Sequence, residues 1–240
     1  MAQVSWVRIR KLHDWDISPR EAADVQNRLR RLVVPEWDGR KIERIAGADV
    51  SFPSRNETLA ATCVMSYPEL KLLDYSVKRR RCEFPYVPGF LAFREVPALL
   101  ESLKGLEIEP DVIICDAQGL AHPRGMGLAT HLGILIEKPT IGCAKSRLFG
   151  SFQEPGENRG DRSLLHGHGG EVIGAVLTTR SGVKPVFVSI GNLVDLETSI
   201  GVVMACCPKY RLPEPTRVAH KLAAGEKMEK EGEDHQLGLF

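Results

Sequence analysis

Apolar positions recur at helical spacing between Ser18 and Val34, where Ala22, Val25, Leu29 and Leu32 share one face. Ser18 suits a helix cap and Pro19 the first helical position. Residues 45–52 (IAGADVSF) read instead as a buried strand. Residues 59–67 and 70–77 read as its hairpin partners, with Pro68 and Glu69 in the turn. A Pro-rich break, FPYVPGF, follows. Residues 91–103 predict a helix with Phe93, Val96, Leu99, Leu100 and Leu103 on one side. Asp111–Cys115 is a short apolar run of the kind that is buried on both faces of a sheet. A helix over 125–136 and a strand over 140–144 come next, then a Gly-rich loop from Gly150 to Gly170. Strands near 171–178 and 185–190 and helices over 195–206 and 216–224 complete the body. A three-strand meander followed by alternating elements is an α/β pattern with a mixed sheet.

Composition narrows the class. The chain has 240 residues, 43% of them hydrophobic, and 32 Lys+Arg against 31 Asp+Glu, for a net charge of +1. That suits one domain with an ample core and excludes a wholly disordered chain. It also argues against a protein that coats nucleic acid indiscriminately. No apolar run approaches the roughly 18 residues that span a bilayer, and the N-terminus has no apolar leader. A cytoplasmic protein without a membrane partner is expected. The six cysteines lie mostly in apolar stretches and show no zinc spacing, so they read as packed free thiols. Residues 225–240 hold two lysines and five acids, which leaves a net +4 on residues 1–224. The expected division is one folded domain over 1–224 and a flexible acidic tail over 225–240.

Two apolar strands carry an aspartate where a hydrophobe would cost less. Asp49 lies inside IAGADVSF and Asp116 closes DVIICD. A buried lone carboxylate costs several kcal/mol unless it is paired or metal-bound. Either Asp alone also fits a loop cap or an arginine partner. With Glu95 on the following helix they form an oxygen-only set of the kind that holds Mg²⁺. DAQGLAHPRGMGLATHLG continues from Asp116 and places Gly119, His122, Arg124, Gly125, Gly127 and His131 in a strand-to-helix turn. Glycines there let backbone N–H groups approach an anion. Lys145 follows the next strand, placed to neutralise a phosphate or orient a nucleophile. Pro85, Tyr86, Val87 and Pro88 form a stiff, aromatic-tipped loop suited to entering a base stack. KRRR (78–81), just before it, offers phosphate contacts.

These blocks, with VFVSIGNLV and YRLPEPTRVAH, occur in an order that resembles the endonuclease V family over about residues 20–224. The resemblance implies an RNase H-like fold, a central mixed β-sheet flanked by helices. It implies a monomeric DNA repair enzyme that acts on damaged DNA. It implies Mg²⁺-dependent hydrolysis, with Mn²⁺ able to substitute, of the second phosphodiester bond 3′ to deoxyinosine. By position, Asp49, Glu95 and Asp116 match the family's metal-binding acids, and His220 completes that site. Lys145 matches its active-site lysine and Tyr86 its strand-separating wedge. Gly89, Leu91, Gly142, Ala117, Gly119 and His122 correspond to the lesion pocket. Ala117 stands where many relatives have Gly, and Cys143 replaces a more usual aliphatic residue.

The last five residues, Gln236, Leu237, Gly238, Leu239 and Phe240, resemble the peptide by which bacterial DNA enzymes dock on the β sliding clamp. An apolar anchor on a polar tether suits a hydrophobic groove. Two other readings of the whole chain stay open: an inosine-specific ribonuclease of the same family, and a non-catalytic nucleic-acid-binding module. The set of Asp49, Glu95, Asp116 and Lys145 argues against the second.

Overall fold

The computed structural model describes residues 6–231, so the clamp-like residues Gln236, Leu237, Leu239 and Phe240 lie outside it. Helix α1 (Pro19–Leu29) opens with a capping box. The Ser18 hydroxyl accepts from the Glu21 N–H at 3.3 Å, and the Glu21 carboxylate accepts from the Ser18 N–H at 2.8 Å. Strands β1 (Arg44–Ser54), β2 (Glu57–Ser66) and β3 (Leu72–Arg81) form the expected antiparallel meander. After α2 (Leu91–Lys104), β4 (Val112–Cys115) returns parallel to β1. After α3 (Leu128–Ile136), β5 (Thr140–Ala144) returns parallel to β4. Strands β6 (Arg162–His166), β7 (Val172–Leu177) and β8 (Val186–Asn192) add an antiparallel half, followed by α4 (Leu196–Ala205) and α5 (Glu214–Ala223). The eight strands make one sheet in the order β3-β2-β1-β4-β5-β8-β7-β6.

Strand alternation sends successive residues to opposite faces. Ile45, Cys63, Ile114, Ile141 and Val188 pack with Val203, Val218 and Leu222 of α4 and α5. Ala46, Ala60, Val64, Ile113 and Cys115 pack with Leu99 and Leu103 of α2 and Leu132 of α3. All six cysteines are buried free thiols. No helix among the described residues is long and apolar enough to cross a membrane.

Three elements depart from the sequence reading. The Gly150–Gly170 segment contains β6, an edge strand paired with β7. Strand β3 runs on through Arg81, so KRRR is part of the sheet. There Arg79 pairs with Glu57 and Arg80 with Glu101, which leaves Lys78 and Arg81 without ion pairs among the described residues. Helix α3 begins at Leu128 rather than 125, because Gly125 (φ +61°) turns the chain first and Gly127 then serves as its extended cap. Past α5, the described part of the charged segment lies against β3. The Glu231 N–H donates to the Leu72 carbonyl at 2.8 Å, Lys230 Nζ reaches Asp74 at 2.7 Å, and Met228 packs on the core.

Candidate active site

Register decides which residues of parallel strands are neighbours, and ligands gather outside the carboxyl ends of such strands. Here Ala48 of β1 pairs with Cys115 of β4, and Cys115 with Gly142 of β5. Asp49 and Asp116 are therefore neighbours, each one residue beyond the pairing, and Lys145 follows the end of β5. Helix α2 brings Glu95 over them, and α5 brings His220. All five line one cavity of about 520 Å³, together with Tyr86, Val87, Pro88, Gly89, Leu91, Ala117 and His122.

The charges in this cavity do not balance. Lys145 Nζ sits 2.5 Å from Asp116 Oδ2. His220 Nδ1 is 2.7 Å from Asp49 Oδ2, while most of the imidazole stays in solvent. Glu95 is 8% exposed and has neither an ion pair nor a hydrogen bond to its carboxylate among the described residues. Burial, followed by the charges of Asp49 and Asp116, pushes the Glu95 carboxyl well above the usual range, against the opposing charge of Arg94. Burial and Asp116 also raise Asp49, against the opposing hydrogen bond from His220. Among the described residues, no three Asp, Glu, His or Cys side chains stand close enough as they are to ligate one ion together. His220 and Lys145 each hold an oxygen that such an ion would share. The donors themselves suit a hard divalent cation: three carboxylates face one cavity, and the most buried one makes no ion pair, the charge of Arg94 offsetting it only without contact.

The rim is built differently. Tyr86 is 76% exposed at the tip of the loop between β3 and α2. Phe84, before it, is buried and stacks on Phe93 with centroids 5.3 Å apart, and the Phe84 carbonyl accepts from Arg94 Nη1 at 2.8 Å. After it, the Gly89 carbonyl accepts from three side chains: Gln26 Nε2 (3.0 Å), His122 Nε2 (2.9 Å) and Arg124 Nη2 (3.0 Å). Arg124 Nε also donates to Gln26 Oε1, and its guanidinium lies 4.3 Å from the Phe90 ring centroid. Gly89 has φ +82°, a left-handed conformation that favours glycine, and a Cβ there would also crowd Arg124 Nη2 at 2.9 Å. His122 Nδ1 accepts from the Arg124 backbone N–H at 3.1 Å. Its two ring contacts therefore define a neutral imidazole that donates from Nε2. Burial lowers His122 to about 4, in keeping with that form.

Of the sequence-predicted pocket residues, Gly119 and Gly142 lie beneath the cavity rather than on its lining. A Cβ on Gly142 would stand 2.4 Å from the Gly119 nitrogen, so two bare backbones set how closely the loop after Asp116 rests on β5. Sequence reading missed Gln26 and Gln118. Gln26 is fully buried and also donates to the Met126 carbonyl at 3.2 Å. Gln118 lines the cavity and donates to the Ser146 carbonyl at 2.9 Å, while its buried Oε1 has no partner. Gln118 had a signal, its place two residues after Asp116. Gln26 had none, being a polar residue on an amphipathic helix.

The sequence profile of the Endonuclease V family matches residues 27–221. The endonuclease V of Kosmotoga olearia is 48% identical over 216 residues, covering 90% of this chain and 95% of that protein. The endonuclease V of Roseiflexus sp. (strain RS-1) is 50% identical over 210 residues, covering 88% and 94%. Among solved structures, endonuclease V from Streptomyces avermitilis superposes with TM-score 0.84 at 41% identity, over 91% of this chain and 96% of that one. Endonuclease V from Ciona intestinalis, in complex with a 24mer DNA containing an inosine followed by a ribo-adenosine, superposes with TM-score 0.74 at 29% identity, over 86% and 95%. The fold shared with these structures is the RNase H-like α/β fold.

Proposed function

The chain belongs to the endonuclease V family, and from that membership we propose that it is a DNA repair endonuclease that nicks DNA at the second phosphodiester bond 3′ to deoxyinosine. The observation that carries this reading is the set of Asp49, Glu95 and Asp116 on one cavity floor, short of positive charge, beneath an exposed tyrosine on an anchored loop. Asp49, Glu95, Asp116 and His220 would hold Mg²⁺, or Mn²⁺ in its place. A bound divalent cation would neutralise phosphate charge and lower the pKa of water.

The chain's own residues divide the remaining work. Tyr86 enters the stack, and the anchored loop keeps it from folding back under load. The displaced base enters between Gly89, Leu91 and Ala117, where backbone groups and the unpaired Gln118 oxygen meet its edge. Lys145 turns from Asp116 to the scissile phosphate, and His220 orients Asp49. The products would be a 3′-hydroxyl and a 5′-phosphate. The body would act as a monomer in the cytoplasm, with Gln236, Leu237, Leu239 and Phe240 as a clamp-binding anchor.

The test is nicking of a duplex with one deoxyinosine, with Mg²⁺ or with EDTA, and with the cut position mapped. One Mg²⁺-dependent cut, one nucleotide beyond the bond adjoining the lesion, is expected, and Asp116→Ala should remove it. Cutting in EDTA, or by that variant, would sink the assignment. An inosine-containing RNA in parallel separates the ribonuclease reading, which faster cutting of RNA would favour.

A further inference from the structure

A second cavity, of about 550 Å³, adjoins the first. Tyr86, Leu91 and Arg94 line both, so they form the partition between the two. The rest of the second cavity comes from Phe52, Ser54, Arg55 and Asn56 at the tip of the β1–β2 hairpin and from residues 82–85. It has no carboxylate cluster, and its one acid is the exposed Glu83. Phe52 is 38% exposed. The Arg94 guanidinium, tied to the Phe84 carbonyl, stands 4.8 Å from the Phe52 ring centroid and 5.8 Å from that of Tyr86. Arg55 and Asn56 are exposed, and their side chains make no hydrogen bond or ion pair among the described residues.

A residue that parts a duplex has two faces, and each must receive something. The strand to be cut occupies the face with the carboxylates. Rotating its base out leaves the opposite base unpaired and half unstacked, at a cost of a few kcal/mol. An aromatic ring, a guanidinium plane, a free carboxamide and a free arginine are what an unpaired nucleotide needs: stacking, base-edge hydrogen bonds and phosphate neutralisation. The cavity's volume falls in the range of small-molecule sites.

We propose that the second cavity receives the nucleotide of the undamaged strand opposite the lesion, with its base stacked on Phe52, its edge met by Asn56 and its phosphate by Arg55. The proposal rests on the reading of the first cavity as the lesion site. It makes the enzyme a reader of both strands, with the hairpin tip serving only the uncut one.

The occupant's strand can be tested because a single-stranded substrate has no opposite nucleotide. Phe52→Ala and Asn56→Ala would be compared with wild type for binding to a deoxyinosine duplex and to the same strand alone, by fluorescence anisotropy. Loss of the stacking platform predicts that Phe52→Ala weakens duplex binding by ~10-fold. Binding of the single strand should change less than about twofold, and Phe52→Trp should restore duplex binding where Phe52→Leu does not. Asn56→Ala should show the same strand dependence with a smaller loss. Equal losses on both substrates, a loss on the single strand alone, or no loss on the duplex would each overturn the proposal. Failure of the catalytic reading shows separately, as wild-type protein that binds the lesion duplex no tighter than an undamaged one, and that result would overturn both.

Discussion

The floor of the cavity and the base of its rim are held in opposite ways. At the rim a single carbonyl oxygen, that of Gly89, takes donors from Gln26, His122 and Arg124, more than its two lone pairs would each serve alone. On the floor three carboxylates share one lysine and one histidine, and Glu95 has neither. The rim is complete as it stands, and the floor is not. Shape is therefore set before DNA arrives, while charge is left for a ligand to balance. That division suits the function proposed above, in which the tyrosine would resist force and the carboxylates would accept a cation.

The strongest way to break the comparison is to remove the unmet charge. Glu95→Gln keeps the shape and removes the one floor carboxylate that has no ion pair. Cleavage should fall by about 10³-fold or more, since a neutral amide is a poor ligand for a hard cation. Stability should move the other way. The Glu95 carboxyl is raised in the fold, so its contribution is favourable at low pH and is lost as pH rises and it ionises. Glutamine has no such loss. The variant should therefore be more stable at neutral pH without metal, by about 1 kcal/mol or ~2–4 °C in melting temperature. A melting temperature below that of wild type would show that the floor is balanced after all.

The floor was legible in the sequence, and so were the rim's Tyr86, Gly89, His122 and Arg124, but not the buried glutamine that ties them together. Asp49 and Asp116 stand out because each interrupts an apolar strand, where a carboxylate has a cost that needs a reason. Tyr86 stands out because two prolines bracket it. Gln26 lies on a helix whose pattern assigns polar residues to solvent, and its burial comes from Met126 and Gly89, 100 and 63 residues away. The same limit hid β6. Its RSLLH alternates weakly, lies among glycines, and becomes a strand because β7 presents an edge to pair with. Charge misled at β3, whose last residues stay in the sheet although they are basic, because Glu57 answers Arg79 from the neighbouring strand and Glu101 answers Arg80 from α2.

A smaller effect is expected from loosening the rim. Gln26→Leu keeps the volume of a fully buried side chain but removes its hydrogen bonds to Gly89 and Met126 and the acceptor for Arg124. Leaving such groups unpaired costs about 1–3 kcal/mol of stability. If the rim works by stiffness, the variant should also lose lesion preference, with about a tenfold smaller ratio of deoxyinosine to undamaged duplex binding, as Tyr86→Ala should. Combining Gln26→Leu with Tyr86→Ala should then add little beyond Tyr86→Ala alone. Fully additive losses in that preference would mean that Gln26 does not act through the tyrosine.

The smallest effect, and the one that sets the two regions directly against each other, is on acidification. His122 is held neutral with a value of about 4 against an ordinary 6.5, so its contribution to stability is complete above about pH 6.5 and is lost as pH falls toward 4. Glu95 has the opposite sign, because acid relieves the cost of its ionisation. His122→Gln keeps an amide able to donate to Gly89 and removes the titration. Unfolding free energies from urea titrations at pH 7 and pH 5 should fall further for wild type than for His122→Gln, by about 1 kcal/mol. Over the same interval the stability advantage of Glu95→Gln over wild type should shrink. His131, also buried and held near 3, titrates with the same sign as His122 but sits away from the rim beside His13. It therefore contributes equally to wild type and His122→Gln and cancels in their difference. If both variants followed wild type in parallel across that range, neither the neutral imidazole at the rim nor the strained carboxyl on the floor would hold, and the contrast between the two regions would be one of geometry alone.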